Sequence, residues 1–389
     1  MEKMHLPSMH NPTPWYHHMR KENPIYFDPE FTFFFGAKGG WHLFNYDDVK
    51  RAFSDYHSFS NEYIPASDGD ILGSSLLTTD PPRHRKLHSL ATKAFSPSTI
   101  SRMEPWLYEQ CLKLINPFLK SGEMEFVDSM ATPLPNLVLA RLLGVPEQNS
   151  QQVSKWSKAL TGDPAIIGME VYHSSMKEMG SFFMGLIEKR AKHPQSDLIS
   201  DLLVAEIDGE KLSITEVLAF CITLLGAGTE TTEAWLMLAM HTFIQYPEIQ
   251  EHLISNPQDI PKALNEVLRF RSPVMSMPRI AKQDIELGGN LIKKNDFVNL
   301  WIGSANHDPA IFPHPEIFDI NRDNSKLISF GYGIHYCIGA MLAKLETRIA
   351  FEVIFQQFRH IRLKSETVPK RNPSSLVYSY TELPIIFST

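Results

Sequence analysis

The sequence predicts a mainly helical fold with a smaller β portion. Helical periodicity dominates residues from about 80 to 270 and returns at about 338–358. Short runs rich in β-branched and aromatic residues, bounded by turn residues, occur at about 24–44, 280–301 and 374–387. The β portion is therefore expected to come from both ends of the chain, with most of the helices between them.

Composition excludes several classes of protein. The formal net charge is −7, so no general affinity for nucleic acid is expected. Three widely spaced cysteines without a C-x-x-C pair argue against zinc ribbons and disulfide frameworks, and fit a reducing cytosol. Residues 1–23 contain no apolar signal-peptide core, and the most apolar run, 217–228, is too short to span a bilayer. We therefore expect one soluble, cytoplasmic domain over residues 1–389, without a membrane span.

The predicted β elements follow from local patterns. Residues 25–44 indicate two strands joined by a glycine-containing turn, after which Asn45 can cap a short helix running through Phe53. Residues 280–301 predict further short strands with glycine and Lys-Lys-Asn turns. Residues 374–387 predict a β-hairpin near the end of the sequence.

The most distinct helix starts at a capping-box pattern, in which Ser213 is followed three residues later by Glu216. It is expected to run to Tyr246, where Pro247 stops it. At roughly 50 Å it is long enough to cross a domain, so we expect a central helix packed on several sides.

Two glycines, Gly226 and Gly228, weaken the middle of this helix by roughly 2 kcal/mol relative to alanine. One interpretation is close helix packing through small residues. The other depends on the adjacent Glu230 and Thr231. A threonine hydroxyl that leaves the helical hydrogen bonds can hold a water or a bound dioxygen, and a neighbouring carboxylate can relay protons from solvent.

A single cysteine lies between glycines in residues 330–339, just before a helical pattern over 340–357. Glycines let the backbone approach a flat ligand closely, and N–H groups at the following helix start stabilise a thiolate. A thiolate so placed is a good axial ligand for heme iron. A lone cysteine is usually a small buried hydrophobe. Here, however, the string F-G-x-G-x-H-x-C-x-G fixes several residues at set offsets.

This string resembles the heme-binding signature of the cytochrome P450 family, the heme-thiolate monooxygenases. Residues 227–232 match the family's A-G-x-[D/E]-T-[T/S] motif, 80–84 its D-P-P-x-H segment, and 266–269 its E-x-x-R helix. The motifs occur in the family's order over nearly the whole chain. The resemblance implies a cytochrome P450-like fold in which heme b, iron protoporphyrin IX, lies between the long central helix and the cysteine loop, with Cys337 as the iron ligand.

The resemblance also implies how the heme propionates are held. They need cations or donors at the edge of the heme, and the family's anchors correspond to His84, Arg279 and His335. The family usually has an arginine at the position of His88, so that contact is expected to be weaker or dependent on pH. His84 and His88 at i, i+4 also allow a zinc pair, although no third ligand is evident nearby. The same comparison gives four further cofactor-contacting positions: Ala227, Phe330, Gly331 and Gly339.

By the same resemblance, Thr231 supplies the hydroxyl over the distal heme face and Glu230 the acid of the proton relay. Glu266 and Arg269 are expected to form a structural ion-pair network with Arg322, which serves folding and heme retention. The substrate pocket is expected to lie under the long helix, below a loop at about 63–77, with an adaptable, lipophilic wall. Its wall residues would be Thr223, Ala227, Val274, Met275, Met277, Leu376 and Val377.

The activity that the resemblance implies is insertion of one oxygen atom of O₂ into a lipophilic small molecule such as a fatty acid, terpenoid or steroid. No nucleotide-binding pattern is present, so electrons are expected from a separate ferredoxin or flavodoxin with its reductase. Two alternatives are a peroxide-dependent heme peroxygenase and a non-catalytic heme or lipid carrier, and the pair Glu230 and Thr231 argues against both. An acidic electron carrier would need a basic surface, for which the candidates are Arg83, Arg85, Lys86, Lys93 and Lys344.

Overall fold

The computed structural model describes residues 11–32, 38–64, 75–161, 168–207, 209–365, 369–372, 374 and 376–389. Its helices are α1 Thr13–Glu22, α2 Tyr46–Ser54, α3 Arg83–Ala94, α4 Pro97–Ser101, α5 Glu104–Ile115, α6 Pro133–Leu142, α7 Ser150–Thr161, α8 Met169–Lys192, α9 Leu198–Val204, α10 Ile214–Gln245, α11 Pro247–Ser255, α12 Ile260–Phe270, α13 Ile302–Ala305 and α14 Ala340–Gln357. Its strands are β1 Ile25–Thr32, β2 Lys38–Leu43, β3 Phe59–Ser60, β4 Glu123–Glu125, β5 Glu206–Ile207, β6 Glu210–Lys211, β7 Met277–Ala281, β8 Ile285–Leu287, β9 Asn290–Ile292, β10 Phe297–Leu300, β11 Arg359–Leu363 and β12 Pro384–Ser388.

The main sheet has five strands in the order β1-β2-β10-β7-β3. The two strands predicted at 25–44 are confirmed as an antiparallel pair, with Ile25 opposite Leu43, while the predicted turn at 33–37 lies outside the described residues. Strand β10 runs parallel to β2 and antiparallel to β7, which sets Val298 opposite Arg279. This register fixes the position of Arg279 in the middle of β7.

The β-hairpin predicted at 374–387 is wrong. Strand β12 instead pairs antiparallel with both β11 and β4, so it is the central strand of a three-stranded sheet. The described residues before it are irregular, and Val377 forms an isolated bridge with Val274. Pairing with β4, far earlier in the chain, and with β11, which ends before the predicted segment, therefore replaces the local pairing that a hairpin requires.

Helix α10 is the central helix, and its predicted capping box is confirmed. Ser213 Oγ accepts the Glu216 N–H at 3.2 Å, and the Glu216 carboxylate accepts the Ser213 N–H at 2.9 Å. The helix runs unbroken for 32 residues and packs against α6, α7 and α8. A Cβ on Gly228 would lie 2.9 Å from Leu139 Cδ1 of α6, which is closer than side chains tolerate. The close-packing interpretation thus accounts for Gly228.

By length and composition alone, α10 could cross a membrane, although the run 217–228 within it is too short to do so. Half of its most apolar window is buried inside the protein. The core helix of a soluble protein passes the same test, so this feature is weak support for a membrane span.

Glu346 is a buried acid in α14, next to the buried Cys111 of α5. Its Oε2 has no hydrogen-bond partner among the described residues. Burial raises the pKa of Glu346 to about 8, because the carboxylate loses its hydration.

The raised pKa of Glu346 makes stability depend on pH. The free energy of unfolding is highest where Glu346 is protonated in both states, below its unfolded pKa near 4.5. This stability is lost as pH rises through the folded pKa near 8. We therefore expect the free energy of unfolding of wild type to fall relative to Glu346→Gln by up to roughly 1.4 kcal/mol per pH unit across this window. Urea unfolding of both proteins at several pH values from 4.5 to 8 measures this, and a difference that is constant with pH would refute it.

Candidate active site

The cysteine loop has the geometry that its glycines predict. Gly331 and Gly333 both have φ of +75°, and a short 3₁₀ turn, Gly333–His335, follows. A Cβ on Gly333 would lie 2.9 Å from the Phe53 carbonyl oxygen, so only glycine fits this approach of the loop to α2. The Cys337 N–H donates to the Phe330 carbonyl at 2.9 Å, which closes the loop before α14 begins.

Two opposing effects act on the Cys337 thiol. The surrounding protein raises its pKa, while the backbone N–H groups of Gly339 and Ala340 stabilise the thiolate and lower it. Cys337 nevertheless has solvent-accessible surface, unlike Cys111 and Cys221, which are buried. Among the three cysteines, Cys337 therefore combines accessibility with donors aimed at its sulfur.

A stripe of accessible residues runs along the otherwise buried α10. Thr223, Ala227 and Thr231 lie at i, i+4 and i+8 on one face, and Ala227 is exposed although its helix is apolar and central. One turn further along the same face, the buried Trp235 packs edge-on against Phe330 of the cysteine loop, with ring centroids 5.9 Å apart. The stripe and the cysteine loop therefore border the same region.

The two residues predicted to move protons lie on this face. The Thr231 hydroxyl donates to the Ala227 carbonyl at 2.8 Å, within an unbroken helix. Glu230 is half-buried one turn beyond Ala227. A hydroxyl that donates to a carbonyl keeps its lone pairs available to accept another hydrogen bond.

Basic side chains from three separate segments meet beside the cysteine loop. The rings of His84 and His335 are 4.1 Å apart, and Arg279 lies over the ring of Phe53 at 5.0 Å. All three are largely or fully buried, and Asp80 is the nearby acid, 3.7 Å from His335 Nε2. That distance suits an ion pair but exceeds a hydrogen bond.

Burial dominates the electrostatics of this cluster. It lowers the pKa of His84 to about 3 and that of Arg279 to about 10. Burial also opposes the ionised form of Asp80, but the nearby His335 and the hydrogen bonds from Lys282 and Ser60 outweigh it and hold the pKa of Asp80 well below its usual range. Asp80 is thus a carboxylate whose acceptor capacity is already used.

These residues fit the propionate edge of a heme. His84 Nδ1 and His335 Nε2 are buried without a hydrogen-bond partner among the described residues. Among the described residues, the Arg279 guanidinium donates only to the carbonyl of its neighbour Pro278. Buried donors of this kind are costly unless they are paired, and two carboxylates would pair them.

His88 lies beside this cluster, with its ring centroid 5.5 Å from that of His84. Burial lowers the pKa of His88, so it is a weaker cation at neutral pH than the arginine usual in the family. No group of three or more potential metal ligands exists among the residues that the structure describes, so the zinc alternative gains no third ligand.

Glu266, Arg269 and Arg322 are brought together behind the site. Arg269 donates to both oxygens of Glu266, at 2.7 and 3.0 Å, and Arg322 Nε donates to Glu266 Oε1 at 3.2 Å. The side chains of Glu266 and Arg269 have no exposed surface. Arg269 also donates to the carbonyls of Asn306 and Pro315, so its buried guanidinium group is satisfied by a carboxylate and by backbone acceptors.

The segments predicted to form the substrate wall also meet. The Met275 N–H donates to the Leu376 carbonyl at 2.8 Å, and Val274 pairs with Val377. Met275 packs into the helical core, and Met277, at the start of β7, packs against the sheet cluster. Most of the predicted loop over the pocket, 65–74, lies outside the described residues.

The predicted basic surface is only partly available. Arg83 pairs with Glu216 and Lys86 with Glu210, so both charges are compensated within the molecule. Lys344 lies over the Phe330 ring at 5.3 Å, on the side of the cysteine loop, and Arg85 is exposed. The Lys93 side chain lies outside the described atoms.

Sequence reasoning missed two residues that organise the site. Lys282 donates to Asp80 Oδ2 at 2.8 Å, and the Arg279 guanidinium lies over the Phe53 ring in a cation–π contact. Neither belongs to a motif. Their roles become visible only from the way β7 pairs with β3 and packs beside α2 in the folded protein.

The fold and this site define a heme-thiolate protein, and comparisons with known proteins agree. Residues 167–387 match the family model described as Cytochrome P450. The cytochrome P450 YjiB of Bacillus subtilis is 40% identical, with 92% of this chain and 90% of YjiB covered. A methyl-branched lipid omega-hydroxylase of Mycobacterium tuberculosis is 32% identical over 95% of this chain and 90% of its own length.

The solved structure of CYP109E1 from Bacillus megaterium in complex with testosterone superposes with a TM-score of 0.88 at 31% identity, and covers 97% of this chain and 100% of that one. The chain belongs to the cytochrome P450 family. Members of this family bind heme b, and the protein is accordingly a cytochrome P450 monooxygenase.

Proposed function

We propose that the protein hydroxylates a long-chain or polycyclic lipophilic molecule, using electrons from a separate ferredoxin or flavodoxin and its reductase in the cytoplasm. The observation that carries this proposal is the accessible stripe of α10, where Thr231 lies one turn from Ala227, on the helix face from which Trp235 contacts the cysteine loop. A carrier needs no such hydroxyl and acid beside its cofactor. The names of two relatives, a lipid hydroxylase and a testosterone complex, support the substrate class.

Bound heme supplies the redox chemistry by which dioxygen is activated, and the chain's own residues supply the rest. Cys337 holds the iron through its thiolate, which the N–H groups of Gly339 and Ala340 stabilise. His84, Arg279 and His335 pair with the propionates and fix the orientation of the heme. The apolar side chains of Val274 and Val377 exclude water and orient the substrate.

Thr231 and Glu230 move protons. The Thr231 hydroxyl donates to the Ala227 carbonyl, so to pass its proton toward the heme it must leave that bond. Glu230, one residue earlier on the helix, is the acid that returns a proton to the hydroxyl. Hydroxylation consumes one O₂, two electrons and two protons for each alcohol and water formed, so proton delivery decides whether electrons end in product.

Replacing Thr231 with alanine is expected to divert electrons into hydrogen peroxide, because O₂ with two electrons and two protons then leaves without oxidising substrate. We expect product per reduced nicotinamide to fall by roughly tenfold, less than the full effect of a general acid because water partly replaces the hydroxyl. Product and peroxide are measured together in the complete reductase system. Thr242→Ala is the matched control, since Thr242 also donates to the carbonyl four residues back, at 2.7 Å, but lies beyond the stripe. An equal yield of product per reduced nicotinamide in both variants would show that Thr231 takes no part in the proton relay.

The electron source is tested separately. Turnover of fatty acid and steroid probes is compared with ferredoxin or flavodoxin plus reductase, and with hydrogen peroxide alone. We expect turnover with the carrier that exceeds turnover with peroxide. Efficient turnover with peroxide that is unaffected by Thr231→Ala would favour the peroxygenase instead.

A further inference from the structure

Asn306 follows α13 and has no exposed surface. Its Nδ2 donates to Ser272 Oγ at 2.9 Å and to Ser329 Oγ at 2.8 Å. Its Oδ1 accepts the Ile328 N–H at 3.2 Å. Both amide hydrogens and the amide oxygen are therefore used, which fixes the orientation of the side chain.

The direction of these hydrogen bonds is also fixed. The hydroxyls of Ser272 and Ser329 both donate to the Leu268 carbonyl, at 3.0 and 2.8 Å. Their single hydrogens are thereby used, so toward Asn306 they act as acceptors. A side chain at this position must present two N–H donors, which asparagine does and aspartate does not.

Asn306 joins two parts of the molecule that the sequence separates. Its own carbonyl accepts from Arg269 of the buried charge cluster at 3.2 Å. Its side chain holds Ile328 and Ser329, which directly precede Phe330, the residue whose carbonyl accepts the Cys337 N–H. The root of the cysteine loop is thus attached to α12 through the Asn306 amide group and through the Ser329 hydroxyl, which Asn306 itself holds in place.

We propose that Asn306 is a positioning residue for the iron ligand and transmits the rigidity of the Glu266 and Arg269 cluster to the loop that carries Cys337. It contacts neither substrate nor the reacting atoms. The inference rests on the proposed role of Cys337 as ligand. It explains how a charge cluster remote from the chemistry acts on the position of the iron ligand, since breaking the amide link loosens the loop while the cluster itself stays intact.

The test compares Asn306→Asp with Asn136→Asp in the heme-loaded protein. Asn136 is also a buried asparagine, and it donates to the Thr132 carbonyl at 2.7 Å in α6, without contact to the cysteine loop. Two readouts are used: the ferrous–CO absorption spectrum and amide hydrogen exchange of residues 328–337. For Asn306→Asp we expect a large loss of the red-shifted thiolate band with heme retained, and exchange at least about tenfold faster. Asn136→Asp is expected to leave both unchanged apart from a global loss of stability.

Ser329→Ala is measured as a milder variant, which decides the question if Asn306→Asp does not fold. It removes one acceptor of the Asn306 amide together with the hydroxyl's own bond to the Leu268 carbonyl, keeps the other two bonds of the amide, and is expected to raise exchange at 328–337 by a smaller factor. The proposal is overturned if the folded variant at Asn306 or Ser329 matches Asn136→Asp in both readouts. A wild-type protein without the thiolate band would instead refute Cys337 as ligand, so the two failures are distinguishable.

Discussion

Cys337→Ser is expected to abolish both the red-shifted Soret band of the ferrous–CO protein and monooxygenase turnover. The thiolate is the form of cysteine that binds metal, and its charge is stabilised here by the N–H groups of Gly339 and Ala340. A serine hydroxyl is a far weaker acid in the same loop and offers a hard, neutral oxygen in place of a soft anion. The loop itself is expected to persist, because the backbone bond from residue 337 to Phe330 does not depend on the side chain.

Cys111→Ala and Cys221→Ala are the matched controls, since both thiols are fully buried in the helical core. Each is expected to lower stability by the loss of packing contacts and to leave the spectrum unchanged. A red-shifted band that persists in Cys337→Ser, or disappears in a control, would mean that another group binds the iron.

Glu266→Gln is expected to lower the free energy of unfolding by about 3–5 kcal/mol and to release heme, because it leaves buried guanidinium groups without their counter-charge. Glu266 accepts from Arg269, Arg322 and Asn324, and its side chain has no exposed surface. Urea unfolding and the rate of heme loss measure the effect. An uncharged amide of the same shape cannot replace both oxygens as acceptors.

The control for Glu266→Gln is Glu104→Gln. Glu104 pairs with Arg348 at 2.9 Å, but its side chain is 44% exposed. Water compensates an exposed pair, so a loss below about 1 kcal/mol and no heme release are expected. Comparable losses of unfolding free energy in the two variants would show that the buried Glu266 cluster stabilises the protein no more than an exposed ion pair does.

The elements that the sequence predicts well are those whose signals are local. The capping box of Ser213 and Glu216 needs only four consecutive residues, and the structure contains it. The glycines of the cysteine loop likewise act on their own backbone, as the positive φ at Gly331 and Gly333 demonstrates. Such signals do not depend on partners elsewhere in the chain.

The elements that the sequence misses are decided by distant partners. The last predicted hairpin fails because β12 finds β4 and β11 instead of its own neighbour. The packing of Met275 into the helical core and of Met277 against the sheet cluster likewise depends on residues distant in the chain. The link through Asn306 has no local signal, since its partners lie 22 to 37 residues away.

The pairing of residue 274 with residue 377 has a consequence for how such enzymes diversify. The two segments are fastened by main-chain bonds, from the Met275 N–H to the Leu376 carbonyl and from the Tyr378 N–H to the Pro273 carbonyl, each 2.8 Å long. Main-chain bonds survive most exchanges of side chain. If Val274 and Val377 line the substrate cavity as we propose, their side chains can therefore change the shape of the cavity while the backbone connection stays in place, so new substrate preferences can evolve with little loss of stability.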